Sequence, residues 1–208
     1  MKGLLIVDIQ YDFLPGGALG VKEGDQVVPV INQLTQLPFD VVVASQDWHP
    51  IGHGSFASTH QKTPGEVVSL KGLPQILWPD HCVQGSKGAE IVSSLDVTKL
   101  AAVIPKGTDP DIDSYSAFFD NGHKKATGLD PFLKEKGVKE LYIAGLATDY
   151  CVKFSTLDAL ALGYDVFVVI DACRAVNLNP LDEQEAISEM QSRGARIVTL
   201  KEVKERLM

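Results

Sequence analysis

The sequence predicts an α/β fold of three layers, in which a mostly parallel six-stranded sheet carries helices on both faces. Two observations support this. Short β-branched runs alternate along the chain with longer amphipathic stretches, which is the pattern of repeated strand–helix units. Several strand-like runs, such as Val166–Ile170, are apolar throughout instead of alternating, as in strands that are covered on both faces.

Six strands and five helices are expected. The strands are predicted at Leu4–Ile9, Asp40–Ser45, Ala101–Pro105, Glu140–Ala144, Asp165–Ile170 and Arg196–Leu200. The helices are predicted at Gln26–Leu37, Gly88–Leu95, Pro131–Lys136, Cys151–Leu162 and Asp182–Arg193. Apolar residues in the first helix recur at the spacing of one buried face, and Gly163 is placed to end the fourth as its C-cap glycine.

Residues 1–208 are expected to form one domain, since no linker, repeat or low-complexity tract divides them. The alternation breaks between Trp48 and Gly88, a stretch rich in Gly, Pro and His. Such a long loop in a compact domain is usually functional or disordered. Its two tryptophans and four of the five histidines argue against disorder. The region of about 47–88 is therefore expected to bind metal and substrate.

Charge and cysteine content exclude several kinds of partner. The 19 Lys+Arg and 27 Asp+Glu give a formal net charge of −8, which disfavours nucleic acids and anionic membranes. No apolar run is long enough to span a bilayer, and the first one stops at Asp8, too short for a signal peptide. The cysteines Cys82, Cys151 and Cys173 form no disulfide framework, so a reducing cytoplasm is expected.

Polar residues follow the predicted strands, at the edge where open parallel sheets bind ligands. They are Asp8, Asp47, His49, Lys106, Thr148, Asp149, Cys151 and Asp171. A carboxylate, an ammonium, a thiol and a metal-binding pair are therefore expected to meet at one edge. Each of them alone has an alternative as a turn former or helix cap, and this alternative is favoured for Asp171.

Cys151 is the best candidate nucleophile, because it lies between a strand and an amphipathic helix. With Asp149 as the N-cap, the helix dipole is expected to lower the pKa of the thiol. Asp8 and Lys106, on the same edge, are the candidate base and its charge partner. The alternative is a buried structural cysteine, which describes the other two cysteines better.

Asp47 and His49 form a second candidate cluster. Residues i and i+2 of an extended chain point the same way, so this carboxylate and imidazole can share one ion. His81, and also His53, are candidates to complete a set of two histidines and one carboxylate. The alternative is a turn-capping aspartate beside a surface histidine. An aromatic slot for a flat ligand, with core packing as the alternative, is predicted from Phe13, Trp78 and Tyr115.

The combination of motifs resembles the nicotinamidases (pyrazinamidases) of the isochorismatase-like cysteine hydrolase superfamily, from Leu4 to about Leu200. The matching segments are Asp8–Phe13, Ser45–Pro50, His53–Phe56, Trp78–Cys82, Lys106–Gly107 and Gly145–Val152. The order Asp, Lys, Cys is shared by the superfamily, and Asp-x-His followed by Trp-Pro-Asp-His-Cys narrows it to this branch. Motifs of serine hydrolases, P-loop NTPases, zincins and dinucleotide-binding enzymes are absent.

The resemblance implies that Cys151 attacks the carboxamide carbon of nicotinamide while Asp8 shuttles protons and Lys106 supports the pair. Ammonia leaves, and water hydrolyses the thioester to give nicotinate, a step of NAD salvage. The backbone amides of Ala147 and Cys151 are implied to form the oxyanion hole, beside a cis peptide between Leu146 and Ala147. Pyrazinamide is an expected second substrate, and homo-oligomerisation is left open.

The resemblance also makes Asp47, His49 and His81 ligands of one divalent metal, zinc in preference to iron or manganese, which meets the pyridine nitrogen. His53 matches a position that is a ligand only in some members. Aromatic walls for the ring are matched by Phe13 and Trp78, and less closely by Tyr115.

Two other functions remain open from the sequence. Another branch of the superfamily, such as a carbamoyl-amide hydrolase or an isochorismatase, shares the Asp, Lys and Cys but typically lacks the metal motif. A redox-sensing thiol in a non-catalytic binding module needs Cys151 but has no need of Asp8, Lys106 or the Asp-x-His motif.

Overall fold

A computed structural model describes all 208 residues and contains eight strands and five α-helices. The strands are β1 (Lys2–Val7), β2 (Val41–Asp47), β3 (Val67–Leu70), β4 (Leu73–Ile76), β5 (Leu100–Lys106), β6 (Glu140–Leu146), β7 (Asp165–Arg174) and β8 (Arg196–Val198). The helices are α1 (Val27–Thr35), α2 (Leu129–Glu135), α3 (Lys153–Ala161), α4 (Asp182–Ser192) and α5 (Leu200–Leu207). None of the helices combines the length and the apolarity needed to cross a bilayer.

Six of the strands form one all-parallel sheet in the order β5-β2-β1-β6-β7-β8, which confirms the predicted fold class. The strand order reverses between the neighbours β1 and β6, and the connections on their two sides run in opposite directions. Loops that leave the carboxyl ends of such strands diverge and open a crevice. The polar residues that follow these strands are therefore placed around one cavity.

The hydrophobic core consists of two clusters of 25 and 20 buried residues, one on each face of the sheet. Leu4 and Ile6 of β1 belong to the first cluster, whereas Leu5 and Val7 belong to the second. Helices α1 and α5 cover the first face, and α2, α3 and α4 cover the second. Both faces of β1 are buried, which explains why its sequence is apolar without alternation.

The predicted helix Gly88–Leu95 is wrong, because this segment consists of turns. Its backbone is bound to the chain that follows β1 and does not form its own helical hydrogen bonds. The Val92 amide donates to the Ile9 carbonyl, and the side chain of Gln10 donates to the Ala89 carbonyl. Tertiary contacts therefore override the weak helical pattern here.

The last strand is shorter than predicted, because the prediction extended it to Leu200, and a helix that was not predicted follows it. The strand stops at Val198, and α5 begins at once. Thr199 and Glu202 form a reciprocal capping box at the start of this helix, a signal that the sequence contained. Asp171 lies inside β7 and accepts a hydrogen bond from the Leu200 amide, so it takes the helix-capping role that was its favoured alternative.

The long loop region contains an antiparallel hairpin of β3 and β4 that the sequence analysis did not predict. Its two-residue turn, Lys71 and Gly72, has positive φ angles of 51° and 85°. This is the turn that favours right-twisted hairpins, and a glycine in the second position marks it in the sequence. The hairpin places Gln75 within hydrogen-bond distance of Asp113 and Tyr115.

Two glycines with positive φ are needed for different reasons: one ends a helix, and the other lies where two strands approach closely. Gly163, with φ of 91°, follows α3 as the predicted C-cap glycine, and a Cβ there meets nothing within 4 Å. Gly145, with φ of 130°, lies against β1, and a Cβ there stands 2.1 Å from the Val7 carbonyl oxygen.

We predict that Gly163→Ala lowers the free energy of unfolding by about 1–2 kcal/mol, the cost of a left-handed conformation for alanine. Gly145→Ala is expected to cost several times more or to prevent folding, because main chain cannot move away as a side chain can. Urea unfolding of the two variants checks this. Equal losses in the two variants contradict the close packing of β1 on β6.

Candidate active site

Four polar side chains from four strand ends meet at the carboxyl edge of the sheet, as predicted. Asp8 follows β1, Asp47 ends β2, Lys106 ends β5, and Cys151 lies in a π-helical turn (148–152) after β6. All four are buried, with exposed fractions of 0%, 4%, 2% and 8% respectively. The register pairs Asp47 with Lys106 across neighbouring strands, which fixes their separation.

The Lys106 ammonium is the centre of this cluster. Its Nζ lies 2.6 Å from Asp47 Oδ1 and 2.9 Å from Asp8 Oδ2. It also donates to the carbonyl of Ser114 at 2.8 Å and lies 3.4 Å from Cys151 Sγ. Ser45 Oγ donates to the other oxygen of Asp8 at 2.7 Å. One cation therefore joins two carboxylates and the candidate nucleophile.

Burial and the nearby charges set the protonation of the cluster. Burial disfavours the ammonium, but Asp47 and Asp8 outweigh it and hold the pKa of Lys106 well above its usual range. For Asp47, burial is outweighed by Lys106 and His49, which keep its pKa well below the usual range. For Asp8, burial dominates over Lys106 and raises the pKa. Asp8 is therefore the carboxylate better suited to accept a proton.

The expected lowering of the Cys151 pKa is wrong. Burial raises the pKa of this thiol well above its ordinary value, and the attraction of Lys106 only partly opposes it. Asp149 is not a helix N-cap, since its carboxylate accepts from the amides of Val176 and Asn177 at 2.9 and 2.8 Å. This environment therefore favours a neutral thiol at Cys151, beside the carboxylate of Asp8.

Asp47, His49 and His81 form the second predicted cluster, with one ligand atom of each within 4.8 Å of the others. The Nδ1 atoms of His49 and His81 lie 2.8 Å from the carbonyls of Gly107 and Pro79. Because a carbonyl only accepts, each Nδ1 carries the hydrogen and each Nε2 faces Asp47 Oδ2, at 3.5 and 3.7 Å. Histidine ligands of metals are usually held in this way.

The environment of His49 favours a positive charge at this place. Its Nε2 is buried and has no hydrogen-bond partner. Although burial disfavours a charged imidazole, Asp47 and Asp113 outweigh it and raise the pKa of His49 to about 9. A buried imidazole nitrogen that has no hydrogen-bond partner and lies among carboxylates can serve as a ligand of a divalent cation. The residues present therefore suit such an ion.

His53 packs against His49, with ring centroids 4.3 Å apart, but both of its nitrogens are used elsewhere. Nε2 donates to the carbonyl of Asp109 at 2.8 Å, and Nδ1 pairs with Ser55 Oγ at 2.8 Å. In this arrangement His53 supports His49 and offers no free ligand atom.

The three predicted aromatic residues all line a pocket above Cys151. Trp78 Nε1 donates to the hydroxyl of Tyr115 at 3.2 Å, which fixes two of the walls to each other. The lining consists of Phe13, Leu19, Asp47, Trp78, His81, Asp113, Tyr115, Ala147, Tyr150, Cys151 and Val176.

Four of these lining residues escaped the sequence analysis: Leu19, Asp113, Tyr150 and Val176. Tyr150 directly precedes the nucleophile, which was the one available signal for it. The others lie on loops whose course no local pattern predicts. The expected cis peptide is present between Leu146 and Ala147, at the edge of the pocket.

Comparisons with known proteins agree on one family. The model of the isochorismatase domain matches residues 2–202. A nicotinamidase of Escherichia coli (strain K12) is 53% identical over 202 residues, which cover 96% of this chain and 95% of the relative. The structure of an Acinetobacter baumanii nicotinamidase/pyrazinamidase superposes with a TM-score of 0.94, at 41% identity and 97% coverage of both chains. A pyrazinamidase of Pyrococcus horikoshii in complex with zinc gives a TM-score of 0.79, at 40% identity, covering 95% of this chain and 98% of its own.

The buried ion pairs predict that Lys106→Met strongly destabilises the chain. Asp8 and Asp47 are left buried without a cation, and breaking a buried ion pair in this way typically costs about 3–5 kcal/mol. Lys134→Met is the control, because Lys134 is half exposed and pairs with Asp130 on the surface of α2, so a change within about 0.5 kcal/mol is expected. Denaturant unfolding of both variants measures the difference, and similar losses contradict the central role of Lys106.

Proposed function

The chain belongs to the isochorismatase domain family, and from this premise we propose that it is an amidase that converts nicotinamide to nicotinate and ammonia. One observation carries the proposal. The Cys151 thiol lies beside Lys106 and Asp8 at the base of an aromatic pocket that also contains Asp47 and His81. The E. coli relative is named a nicotinamidase, and it matches this chain over almost the full length of both.

The proposed reaction is a nucleophilic acyl transfer in two steps. Cys151 Sγ attacks the carboxamide carbon while its proton passes to Asp8. Asp8 then donates a proton to the departing nitrogen, ammonia leaves, and a thioester between Cys151 and the acyl group remains. In the second step Asp8 takes a proton from water, whose oxygen attacks the thioester. Asp8 then returns this proton to the departing sulfur of Cys151, and the nicotinic acid that forms ionises to nicotinate. Lys106 stabilises the charge of Asp8 in both steps.

The raised pKa values of Cys151 and Asp8 suit this exchange. A thiolate in so buried a place is costly, and a carboxylate whose own pKa is raised is a stronger base than an ordinary aspartate. The proton can therefore move between the two groups without either becoming an isolated charge. The backbone amides of Ala147 and Cys151 are the proposed donors to the oxyanion.

Asp47, His49 and His81 are proposed to hold one divalent metal ion, and zinc is the proposed identity. A bound ion supplies a Lewis-acid contact that orients a ring nitrogen. The zinc complex of the Pyrococcus horikoshii relative supports zinc, and the donor set of two imidazoles and one carboxylate suits it. His53 lies outside this set, because both of its ring nitrogens are engaged.

The pocket walls support a flat, uncharged substrate. Phe13, Trp78 and Tyr115 provide aromatic surface, and the polar side chains among the lining residues are few. Pyrazinamide has the same shape, and two of the matched structures are named pyrazinamidases, so it is proposed as a second substrate. Three buried, unpaired cysteines are compatible with the proposed cytoplasmic place in NAD salvage.

The two alternatives have less support. A carbamoyl-amide hydrolase or isochorismatase does not require the cluster of Asp47, His49 and His81. A redox-sensing thiol is expected to be exposed and to have a lowered pKa, whereas Cys151 is buried and its pKa is raised.

We predict that Cys151→Ala abolishes ammonia release from nicotinamide, with a loss of at least ~10⁴-fold, the scale on which removal of a covalent nucleophile acts. Its zinc content is expected to match that of the wild type. Cys173→Ala is the control, since Cys173 is equally buried but lies outside the pocket. Turnover by the Cys151 variant contradicts the proposed mechanism.

We also predict that His81→Ala and His53→Ala differ in metal content. The His81 variant is expected to lose zinc and to show a strongly raised KM, because the ring is no longer oriented. The His53 variant is expected to retain one zinc per chain. Elemental analysis of both proteins after dialysis measures the zinc content, and ammonia release is measured before and after addition of a chelator. Zinc loss in the His53 variant alone would mean that His53, and not His81, is the ligand.

A further inference from the structure

Asp113 is a buried carboxylate of the pocket that the proposed reaction does not use. It lies on the connection from β5 to α2, is 3% exposed and lines the same pocket as Cys151. Its Oδ1 lies 3.9 Å from His49 Nε2, the buried nitrogen that has no hydrogen-bond partner. It clusters with His49 and His53 within 4.8 Å, and His49 is the residue that it shares with the proposed ion ligands, since both nitrogens of His53 are engaged.

The charges around Asp113 favour the binding of a cation. No lysine or arginine lies within ion-pair distance of its carboxylate, and His49 is its only ionic partner. Three buried carboxylates, Asp8, Asp47 and Asp113, surround this cavity with a single ammonium, that of Lys106. These three carboxylates outnumber their two cationic partners, Lys106 and His49, and an unbalanced buried charge is unfavourable. A bound divalent cation offsets this excess of negative charge.

Gln75 of the hairpin holds Asp113 in this orientation. It is 3% exposed, and the two hydrogens of its Nε2 are shared among three acceptors: the Ile76 carbonyl at 2.7 Å, the hydroxyl of Tyr115 at 3.1 Å and Asp113 Oδ2 at 3.3 Å. The Ser114 amide donates to Oδ1 at 2.7 Å. With Oδ2 tied to the hairpin, Oδ1 is the oxygen that faces His49. The same glutamine thereby links this carboxylate to the aromatic wall.

We propose that Asp113 is a fourth residue, and the second anionic one, of the divalent-cation site and that Gln75 positions it. The inference rests on the ion site of the proposed function and adds to it a charge and an oxygen that the sequence motifs do not mark. It also gives the β3–β4 hairpin a role, because the hairpin holds both this carboxylate and Tyr115.

The test is the zinc affinity of metal-free protein, measured by competition with a chromophoric chelator. Asp113→Asn keeps the shape of the side chain and removes its charge, and it is expected to weaken zinc binding about 10–100-fold, as outer partners of metal sites do. Gln75→Met removes the hydrogen bonds of the amide and is expected to weaken binding several-fold. Asp120→Asn is the matched control, because Asp120 is buried on the same connection and accepts only from the loop amides of Gly122 and Lys124.

A merely structural role for Asp113 gives a different set of results. In the proposed role, the metal-free Asp113→Asn protein unfolds at the same or a higher denaturant concentration than the wild type, since an uncompensated buried charge is gone. Zinc affinity equal to that of the wild type, or an equal loss in Asp120→Asn, overturns the proposal. If Asp113→Asn fails to fold, the zinc affinity of Gln75→Met is the deciding measurement, and an unchanged affinity in that variant overturns the proposal.

Wild-type protein separates this inference from the function on which it rests. If the wild type binds no zinc, the whole ion site fails, and Asp113 with it. If the wild type binds zinc and releases ammonia from nicotinamide, an unchanged affinity in the two variants removes only the role of Asp113 and Gln75.

Discussion

The ion pairs of Lys106 are the interaction on which both halves of the site depend. Its ammonium contacts Asp8, which belongs to the proposed catalytic cluster, and Asp47, which belongs to the proposed metal cluster. Burying each of these charges alone is unfavourable, and only their assembly at the ends of β1, β2 and β5 makes the burial tolerable. The parallel register that pairs Asp47 with Lys106 is therefore a functional constraint as well as a structural one. Neither cluster can move without disturbing the other.

The sheet topology explains why these groups meet where a ligand can reach them. The strand order reverses between β1 and β6, so the chain after Val7 and the chain after Leu146 leave the sheet in diverging directions. Asp8 and Cys151 lie on these two exits. Gly145 allows the strands to approach closely just before they diverge, because any side chain there meets the main chain of Val7. The pocket is thus a consequence of strand order, and the loops only complete its walls.

The six strands and the residues at their ends could be predicted from the sequence, because apolar runs and the polar residues that follow them are local signals. Asp47 and His49 were predicted as a pair for the same reason, since a spacing of two decides their orientation. Asp113 and Gln75 could not be predicted, because their meeting depends on the paths of two long connections. The pKa of Cys151 was predicted in the wrong direction. Its position before a helix is visible in the local sequence, but its burial, which raises the pKa, depends on the tertiary structure. Helix α5 is the opposite case, in which the capping box of Thr199 and Glu202 was readable and was missed.

The division of polar groups within the pocket explains why an amidase of this kind needs both a thiol and an ion. The walls are largely apolar, so they can hold a flat ring but cannot fix its rotation in the slot. Orientation has to come from polar contacts, and the site offers two kinds: the thiol of Cys151 with Asp8 beside it, and the proposed ion ligands Asp47 and His81. The group that orients the ring need not activate the nucleophile, because Asp8 already stands beside the thiol. Separating the two tasks lets the thiol remain neutral and protected until a substrate places its carbonyl carbon within reach.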